Sequence, residues 1–271
     1  MTADRPGKIT FGHLVSLGSR LTDRDRQIAL DCYDHHVLTT EQLVRLHFAG
    51  LRTATARLDA LYKLRVLDRF RPPAKRGAGS TPYHWILDEA GAHIVAAHQG
   101  VERRLLRWRH SDALGVAHSG KLTHHVEINE FFTLLAPEAH AEHGALTEWY
   151  GERVTHQLFK GVAPDGYGVL ALPGRPPLHL LLELDRATEP AQRLRQKAVG
   201  YARQIPRSEL GEYDTFVILA VPTATRAKLA REAVADTGAP IEVAEWSKAS
   251  IRSPLAIVTN AADQLAARRS A

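Results

Sequence analysis

The chain has 271 residues, a mass of 30.0 kDa and 44% hydrophobic residues, which suits one large or two ordinary globular domains. Its single cysteine excludes an internal disulfide framework and a thiolate zinc cluster, and no apolar run approaches the roughly 18 residues of a membrane-spanning helix. We therefore expect a cytoplasmic protein with no membrane partner. Residues 1–110 carry 18 Lys and Arg against 11 Asp and Glu, a charge of +7, and the remainder carries −2. This asymmetry favours a nucleic-acid partner for the N-terminal part.

The N-terminal part begins with a segment, residues 1–20, that has three glycines and no sustained period, so we expect a flexible lead-in. Three helices follow. Thr22 is a suitable N-cap for the first, Thr39 and Gln42 form a capping box for the second, and the third covers about residues 52–65. Because only a short turn separates the second helix from the third, the pattern predicts a helix-turn-helix.

Two short strands, at about residues 66–70 and 83–87, flank a basic loop after the third helix. Three helices and a hairpin in this order predict a winged helix over residues 21–100, whose third helix would enter the major groove of double-stranded DNA while the loop contacts the backbone or minor groove. The alternative is a winged helix that binds only proteins. The predicted DNA-binding residues are Arg52, Thr53, Thr55, Arg57 and Lys63 on the helix and Lys75 and Arg76 in the loop.

The remaining chain divides into three predicted parts. Residues 101–120 contain the basic segment VERRLLRWR, which predicts a linker helix that either binds phosphate or docks its apolar side on a neighbour. Residues 121–260 contain a strand, helix and strand in succession, which predicts a parallel pair and hence an α/β domain with a mixed sheet. Residues 261–271 are expected to be a tail.

An amphipathic helix at about residues 121–135 carries several polar side chains. His124 and His125 are adjacent and point about 100° apart, a poor arrangement for sharing a metal ion. We expect Glu127 and Glu130 to belong to a solvated face of this helix.

The most informative stretch contains a predicted hairpin followed by a helix. The second strand is apolar and ends in Glu183 and Asp185, which are two residues apart and so share one face of a strand. A turn containing Asp165 precedes the first strand, and closure of the hairpin would bring three carboxylates together. Carboxylate oxygens grouped in this way suit Mg²⁺ or Mn²⁺.

The helix after this hairpin carries Lys197 and Tyr201, which are four residues apart and face the same way, so a cation can overhang the acids. The alternative is a surface cluster in which Glu183 and Asp185 pair with nearby arginines. The predicted catalytic residues are Asp165, Glu183, Asp185, Lys197 and Tyr201, of which Asp165, Glu183 and Asp185 are the predicted metal ligands.

This order of a Pro-Asp turn, an acid-x-acid strand and a helix with a polar residue four before a tyrosine resembles the PD-(D/E)XK nuclease-like superfamily. The resemblance implies a mixed sheet flanked by helices, with Asp165 and Glu183 as matching metal ligands. The usual lysine two residues after the acid is absent, and Asp185 stands there instead. Either Lys197, which matches the first position of a (Q/K)xxxY element, supplies the cation, or the site does not cut.

The whole arrangement, with LTDRDRQIALDCYDHHVLTTEQLVRLHF, PDGYG and LELDRATEP, resembles the replication-relaxation family of actinobacterial plasmids and mobile elements over most of residues 20–225. The resemblance implies a DNA-binding protein of replication, relaxation or transfer, with a nuclease-like second domain, and a replication or transfer protein as a further partner. Two alternatives stay open. One is an active Mg²⁺-dependent nickase or endonuclease, and the other is a transcription regulator whose α/β domain senses a small ligand in an apolar pocket. A homodimer that reads two half-sites is compatible with the fold.

Overall fold

The computed structural model describes residues 7–73, 81–247 and 252–270. The chain divides into two units, Met1–Val126 and Glu127–Ala271. This division falls six residues after the end of the predicted boundary region, residues 100–120. None of the helices in the described ranges combines the length and the apolar character that a membrane crossing requires.

Within residues 7–73 and 81–126, the first unit contains six short α-helices and a small sheet. It contains α1 (Phe11–Leu17), α2 (Asp23–Asp34), β1 (Leu38–Thr39), α3 (Thr40–His47), α4 (Leu51–Lys63), β2 (Leu67–Phe70), β3 (His84–Leu87), α5 (Glu89–His98) and α6 (His110–Gly115). The sheet order is β1-β3-β2 and both pairs are antiparallel. Three helices followed by a hairpin is the order of a winged helix, as the sequence predicted.

Local capping explains why α2 and α3 begin where they do. The Thr22 side chain accepts a hydrogen bond from the Asp25 amide while the Asp25 carboxylate accepts one from the Thr22 amide. Thr39 and Gln42 make the same reciprocal pair at the start of α3. Each capping box satisfies two amides that a helix leaves open at its start. The apolar faces of these helices then converge on a core that includes Ile28.

Two segments of the first unit differ from the sequence expectation. The predicted lead-in contains α1, which is capped by Thr10 and held by a 2.9 Å hydrogen bond between the His13 ring and the Leu64 carbonyl. The predicted linker helix at residues 101–109 is instead a single 3₁₀ turn followed by extended chain. Because successive side chains of an extended segment point to opposite sides, Leu106 and Trp108 are both buried with one exposed residue between them.

Helix α5 approaches the rest of the first unit closely at Gly91. A Cβ atom at this position would lie 2.2 Å from the Val66 carbonyl oxygen and 2.6 Å from Leu87 Cδ1. We expect Gly91→Ala to lower the free energy of unfolding by about 2 kcal/mol, because overpacking exceeds the gain in helix propensity. Urea denaturation measures this. The matched control is Gly12→Ala in α1, where a Cβ would meet nothing within 4 Å, and an equal loss in both variants would contradict the packing argument.

The second unit is a three-layer α/β arrangement, and the α/β class is confirmed. Its elements are α7 (Leu122–Ala141, which begins in the first unit), β4 (Ala145–Gly151), α8 (Glu152–Leu158), β5 (Gly166–Ala171), β6 (Leu178–Leu184), α9 (Ala191–Gln204), β7 (Asp214–Val221), α10 (Ala224–Val234), β8 (Ile241–Glu245) and α11 (Pro254–Ser270). The sheet order is β4-β5-β6-β7-β8, with antiparallel pairing through β6 and parallel pairing from β6 to β8.

Strand β6 is the buried centre of this sheet, since all seven of its residues are buried. Its even-numbered residues, such as Leu180 and Leu182, pack with α7 and α11, while Leu181 packs with α9 and α10 on the other face. The predicted tail at residues 261–271 is largely part of α11, and Leu265 is buried in the core. A polar side chain on β6 therefore has to find its partners within the protein.

Candidate functional site

The Glu183 carboxylate lies near the end of β6, 2% exposed, on the sheet face covered by α9. Lys197 donates to Glu183 Oε2 at 2.8 Å, and its Nζ lies 3.0 Å from Glu189 Oε1. The Tyr201 hydroxyl donates to Glu183 Oε1 at 2.5 Å. The spacing of Lys197 and Tyr201 on one helical face therefore brings both to the same carboxylate.

The electrostatics of this cluster follow from burial. Burial and the neighbouring Asp165 carboxylate raise the pKa of Glu183 to about 7, against the lowering effect of Lys197 and Tyr201. Burial alone would lower the pKa of Lys197, but the Glu183 carboxylate raises it above the ordinary value. Burial and the same carboxylate raise the pKa of Tyr201. Lys197 is therefore charged and Tyr201 is a hydrogen-bond donor at neutral pH, while Glu183 can take up or release a proton.

Asp165 lies in the turn before β5 and joins this cluster from the other strand of the hairpin. Its Oδ2 atom accepts a 2.8 Å hydrogen bond from the Leu184 amide, which ties the turn to the end of β6. The predicted antiparallel pairing of the two strands brings this about, because Gly166 is opposite Leu182. The structure therefore brings Asp165, Glu183, Lys197 and Tyr201 together.

Asp185 does not join them, and the predicted three-carboxylate cluster is wrong. Asp185 follows directly after β6, which ends at Leu184, and its side chain has a partner of its own on α10. Asp185 is 4% exposed, its Oδ1 accepts from the Ala187 amide at 3.0 Å, and its Oδ2 accepts from Arg226. Arg226 on α10 also donates to a backbone carbonyl of the β6–α9 loop at 2.5 Å. Asp185 thus fastens α10 to that loop.

The remaining carboxylates decide which metal the cluster could hold. In residues 7–73, 81–247 and 252–270, no three His, Cys, Asp or Glu side chains are grouped so that they could hold a metal ion. Asp165 and Glu183 remain as a pair of oxygen donors. Mg²⁺ commonly binds one or two carboxylates and completes its shell with water and substrate phosphate. The pair therefore fits Mg²⁺ or Mn²⁺ only together with phosphate oxygens.

Helix α7 contributes no further ligand to this pair in the structure. Glu127 pairs with Arg186 at 3.2 Å. Glu130 is 6% exposed, so the expectation of a solvated face is wrong there; residues 128–133 are all buried because α7 is covered on nearly every side. His125 is buried and its ring centroid lies 6.4 Å from that of His124.

In the first unit, the N-terminal half of α4 presents an exposed polar face. Arg52, Thr53 and Thr55 are all exposed, whereas Ala54 and Leu58 on the opposite side are fully buried. The Thr55 hydroxyl donates to the Leu51 carbonyl at 2.8 Å. In complexes of helix-turn-helix proteins with DNA, the N-terminal half of the second helix is the part that reaches the base edges.

Two of the predicted DNA-binding residues on α4 have other partners. Arg57 donates from Nε to Asp25 Oδ1 at 2.7 Å and from Nη2 to the Arg20 carbonyl at 2.9 Å. Lys63 is exposed and pairs with Asp59 at 2.8 Å. Helical periodicity placed Arg57 on the outer face, but it lies at the edge of the buried face, within reach of a fully buried carboxylate.

We expect Arg57→Ala to destabilise the first unit by about 3 kcal/mol, because it leaves the buried Asp25 carboxylate without its cation. Burial alone would raise the pKa of Asp25, but hydrogen bonds from Arg57 and Thr22 lower it. The stabilisation is thus present above about pH 4 and is lost as the pH falls through the folded pKa. Urea denaturation at pH 7 and pH 3 tests this against Arg52→Ala. Unchanged stability with weakened DNA binding would show that Arg57 contacts DNA.

We call the β2–β3 hairpin with its connecting loop the wing. A cluster of stacked arginines at the base of this wing was not predicted. The Arg71 guanidinium carbon lies 3.8 Å from the Tyr83 ring centroid, and that of Arg69 lies 4.3 Å from the same ring. Stacking holds arginines in defined positions, which suits phosphate recognition. The sequence signal that could have indicated this cluster is the alternation of basic and aromatic residues on the two neighbouring strands. Lys75 and Arg76, the predicted wing contacts, lie outside the described residues.

Comparison with known proteins identifies one matching protein family. The sequence matches the profile of the family described as Replication-relaxation over residues 31–216, more than half of the chain. Searches of the curated proteins and of the solved structures find no significant match. The matched range includes α4, the β5–β6 hairpin and α9, and therefore both of the sites described above. The chain belongs to the replication-relaxation family.

Proposed function

We propose that the protein binds double-stranded DNA through α4 and the base of the wing, and that this binding serves the replication or relaxation of a plasmid or mobile element. Family membership supports the role in replication or relaxation. The observation that carries the DNA-binding part is the exposed face of α4, where Arg52, Thr53 and Thr55 stand on a helix whose other side is buried. Threonine and arginine side chains suit base edges in the major groove.

The stacked pair Arg69 and Arg71 supports the same proposal. Phosphate contacts position a protein on the duplex, and base contacts specify the sequence. In this proposal the stacked arginines contact the phosphate backbone of the DNA, and α4 contacts the base edges. The test is binding to a labelled duplex by fluorescence anisotropy over a range of salt concentrations. A steep decrease of affinity with salt supports phosphate contacts, and binding that does not depend on salt would contradict them.

The proposed partners are double-stranded DNA, a second copy of the chain and a replication or transfer protein. Two copies would allow two half-sites to be read, as in other helix-turn-helix proteins. Multi-angle light scattering of the protein with and without duplex measures the stoichiometry. Two protein chains per duplex support the homodimer, and one chain per duplex at saturation contradicts it.

A second candidate function is metal-dependent DNA cleavage by the second unit. The specific observation in its favour is that a buried strand end, a turn and a helix bring Asp165, Glu183 and Lys197 together. Asp165 and Glu183 would hold Mg²⁺ or Mn²⁺ together with a DNA phosphate. Such an ion would supply Lewis acidity at the phosphate. Lys197 would orient the attacking water or stabilise charge on the phosphate, and Tyr201 would hold the Glu183 carboxylate in place.

Cleavage of supercoiled plasmid in the presence of Mg²⁺ or Mn²⁺ tests this second candidate. Nicking by the unmodified protein that is abolished in both Asp165→Ala and Lys197→Ala would support it, whereas nicking that persists in either variant would assign it to a contaminant or another site. Asp185→Asn is a useful comparison, because Asp185 pairs with Arg226 and is not one of the two carboxylates proposed to hold the ion. No cleavage with any ion, alongside intact duplex binding, would leave DNA binding as the function.

A further inference from the structure

The second unit contains a cleft of about 1090 Å³ that neither proposed function uses. It lies between β4, α8, the end of α9 and the 3₁₀ turns that precede β7. Its volume is slightly above the usual range of about 300–1,000 Å³ for small-molecule sites.

One wall of the cleft is a connected row of aromatic rings. The Tyr167 hydroxyl and His179 Nδ1 are 2.8 Å apart in a buried hydrogen bond. The His179 ring stacks on Tyr213 with centroids 4.3 Å apart and planes within 5°, and Tyr150 stacks on Tyr167 at 5.9 Å with the same interplanar angle. Tyr213 is 50% exposed. Since His179 covers one face of the Tyr213 ring, the exposed part of that ring is available to a planar ligand.

The opposite wall is fixed to α9. The Val162 amide donates to Gln204 Oε1 at 3.1 Å, and Gly161 has a φ of +119°, which side-chain-bearing residues rarely adopt. A Cβ at Gly200 would lie 2.1 Å from Val162 Cγ2, so the loop before β5 packs directly on the helix. The cleft is therefore formed before any ligand arrives, which reduces the entropy lost on binding.

The rim of the cleft carries both signs of charge. Lys160, Arg203 and Arg207 are exposed cations, and arginine pairs well with phosphate oxygens. Glu148 and Glu209 also line the cleft, and carboxylates accept hydrogen bonds from the amino groups of bases. Stacked rings, a cationic rim and a few acceptors together match a nucleotide better than a purely apolar ligand.

We propose that this cleft binds a nucleotide unit, with its base stacked on Tyr213 and its phosphate held by Arg203 and Arg207. The unit belongs either to a single DNA strand or to a free nucleotide. His179 and Glu183 lie on the same face of β6 four residues apart, a separation of about 13 Å along the strand. A single strand bound in the cleft could therefore extend toward Glu183. Duplex recognition by α4 does not involve these residues, so the proposal goes beyond the proposed function.

The test uses the full chain, with two probes. One is a 5′-phosphorylated, fluorescein-labelled deoxyadenosine hexamer measured by anisotropy, and the other is dAMP measured by calorimetry. The variants are Tyr213→Leu, which removes the stacking ring, and Arg203→Gln, an exposed change that disturbs no packing. Arg193→Gln is the matched control, because Arg193 is an exposed arginine on the same helix that does not line the cleft.

We expect Tyr213→Leu and Arg203→Gln each to weaken binding about fivefold or more, and Arg193→Gln to leave it unchanged. An effect on the hexamer alone identifies a DNA strand as the ligand, and an effect on dAMP as well identifies a nucleotide site. Equal affinities in all four proteins, an equal loss in the control, or no binding of either probe at millimolar concentration would overturn the proposal. Duplex affinity measured on the same samples separates this result from any failure of DNA binding by α4.

Discussion

Replacing Lys197 by alanine is expected to lower the free energy of unfolding by about 1 kcal/mol more at pH 8 than at pH 5, because pH 8 lies about one pH unit above the folded pKa of Glu183. The variant leaves the Glu183 carboxylate, which is 2% exposed and close to Asp165, without its cation. Without that cation Glu183 stays protonated to higher pH, so the variant lacks the ionised pair that the unmodified protein forms above pH 7. At pH 5 Glu183 is protonated in the folded protein, so there is no buried charge for Lys197 to compensate.

The direction of the pH dependence follows from the pKa of Glu183. Its folded value of about 7 lies above the ordinary 4.5, so the folded protein holds this proton more tightly than the unfolded chain. The associated stability is fully present below about pH 4.5 and is lost as the pH rises through 7. Without the Lys197 ammonium the folded pKa rises further, and the loss continues to higher pH.

Urea denaturation at pH 5, 6, 7 and 8 measures this effect. Lys197→Arg retains a cation and is expected to behave more like the unmodified protein, although its geometry differs. Lys228→Ala removes an exposed lysine from α10 of the same unit and controls for the loss of one charge. A destabilisation by Lys197→Ala that is the same at pH 5 and pH 8 would show that Glu183 does not titrate in this range.

Replacing Arg52, Thr53 and Thr55 together by alanine is expected to weaken duplex binding by about 100-fold. Base contacts from such side chains contribute about 1–3 kcal/mol each when well placed, and a total of about 3 kcal/mol corresponds to this factor. All three residues are exposed on α4, so the variant should unfold at nearly the same urea concentration as the unmodified protein. This separates it from Arg57→Ala, for which we expect lost stability.

Much of the fold could be predicted because its signals are local. Thr22 and Thr39 mark helix starts through contacts within three residues, and the apolar run of β6 indicates a buried strand whatever its neighbours are. Strand β1 was not predicted, because it has two residues and exists only through pairing with β3, more than forty residues away. The extended segment around Trp108 was mistaken for a helix, since its basic residues and leucines also fit a helical period.

In the candidate site, too, the residues with local sequence signals could be predicted and those with distant partners could not. Glu183, Lys197 and Tyr201 could be found because a strand end and a four-residue helical spacing are visible in sequence, and the hairpin brought Asp165 to them. The partner of Asp185 could not be found, because Arg226 is 41 residues away and meets it only through the parallel arrangement of β6, β7 and α10.

The measurement that tests the central proposal most directly is the affinity for duplex DNA of the unmodified protein and of the triple variant at Arg52, Thr53 and Thr55. Lys228→Ala serves as the charge control, and anisotropy titrations at two salt concentrations provide the affinities. The proposal predicts salt-dependent binding that the triple variant loses by about 100-fold and the control retains. Equal affinities of the triple variant and the unmodified protein, with both folded, would contradict recognition of DNA by α4.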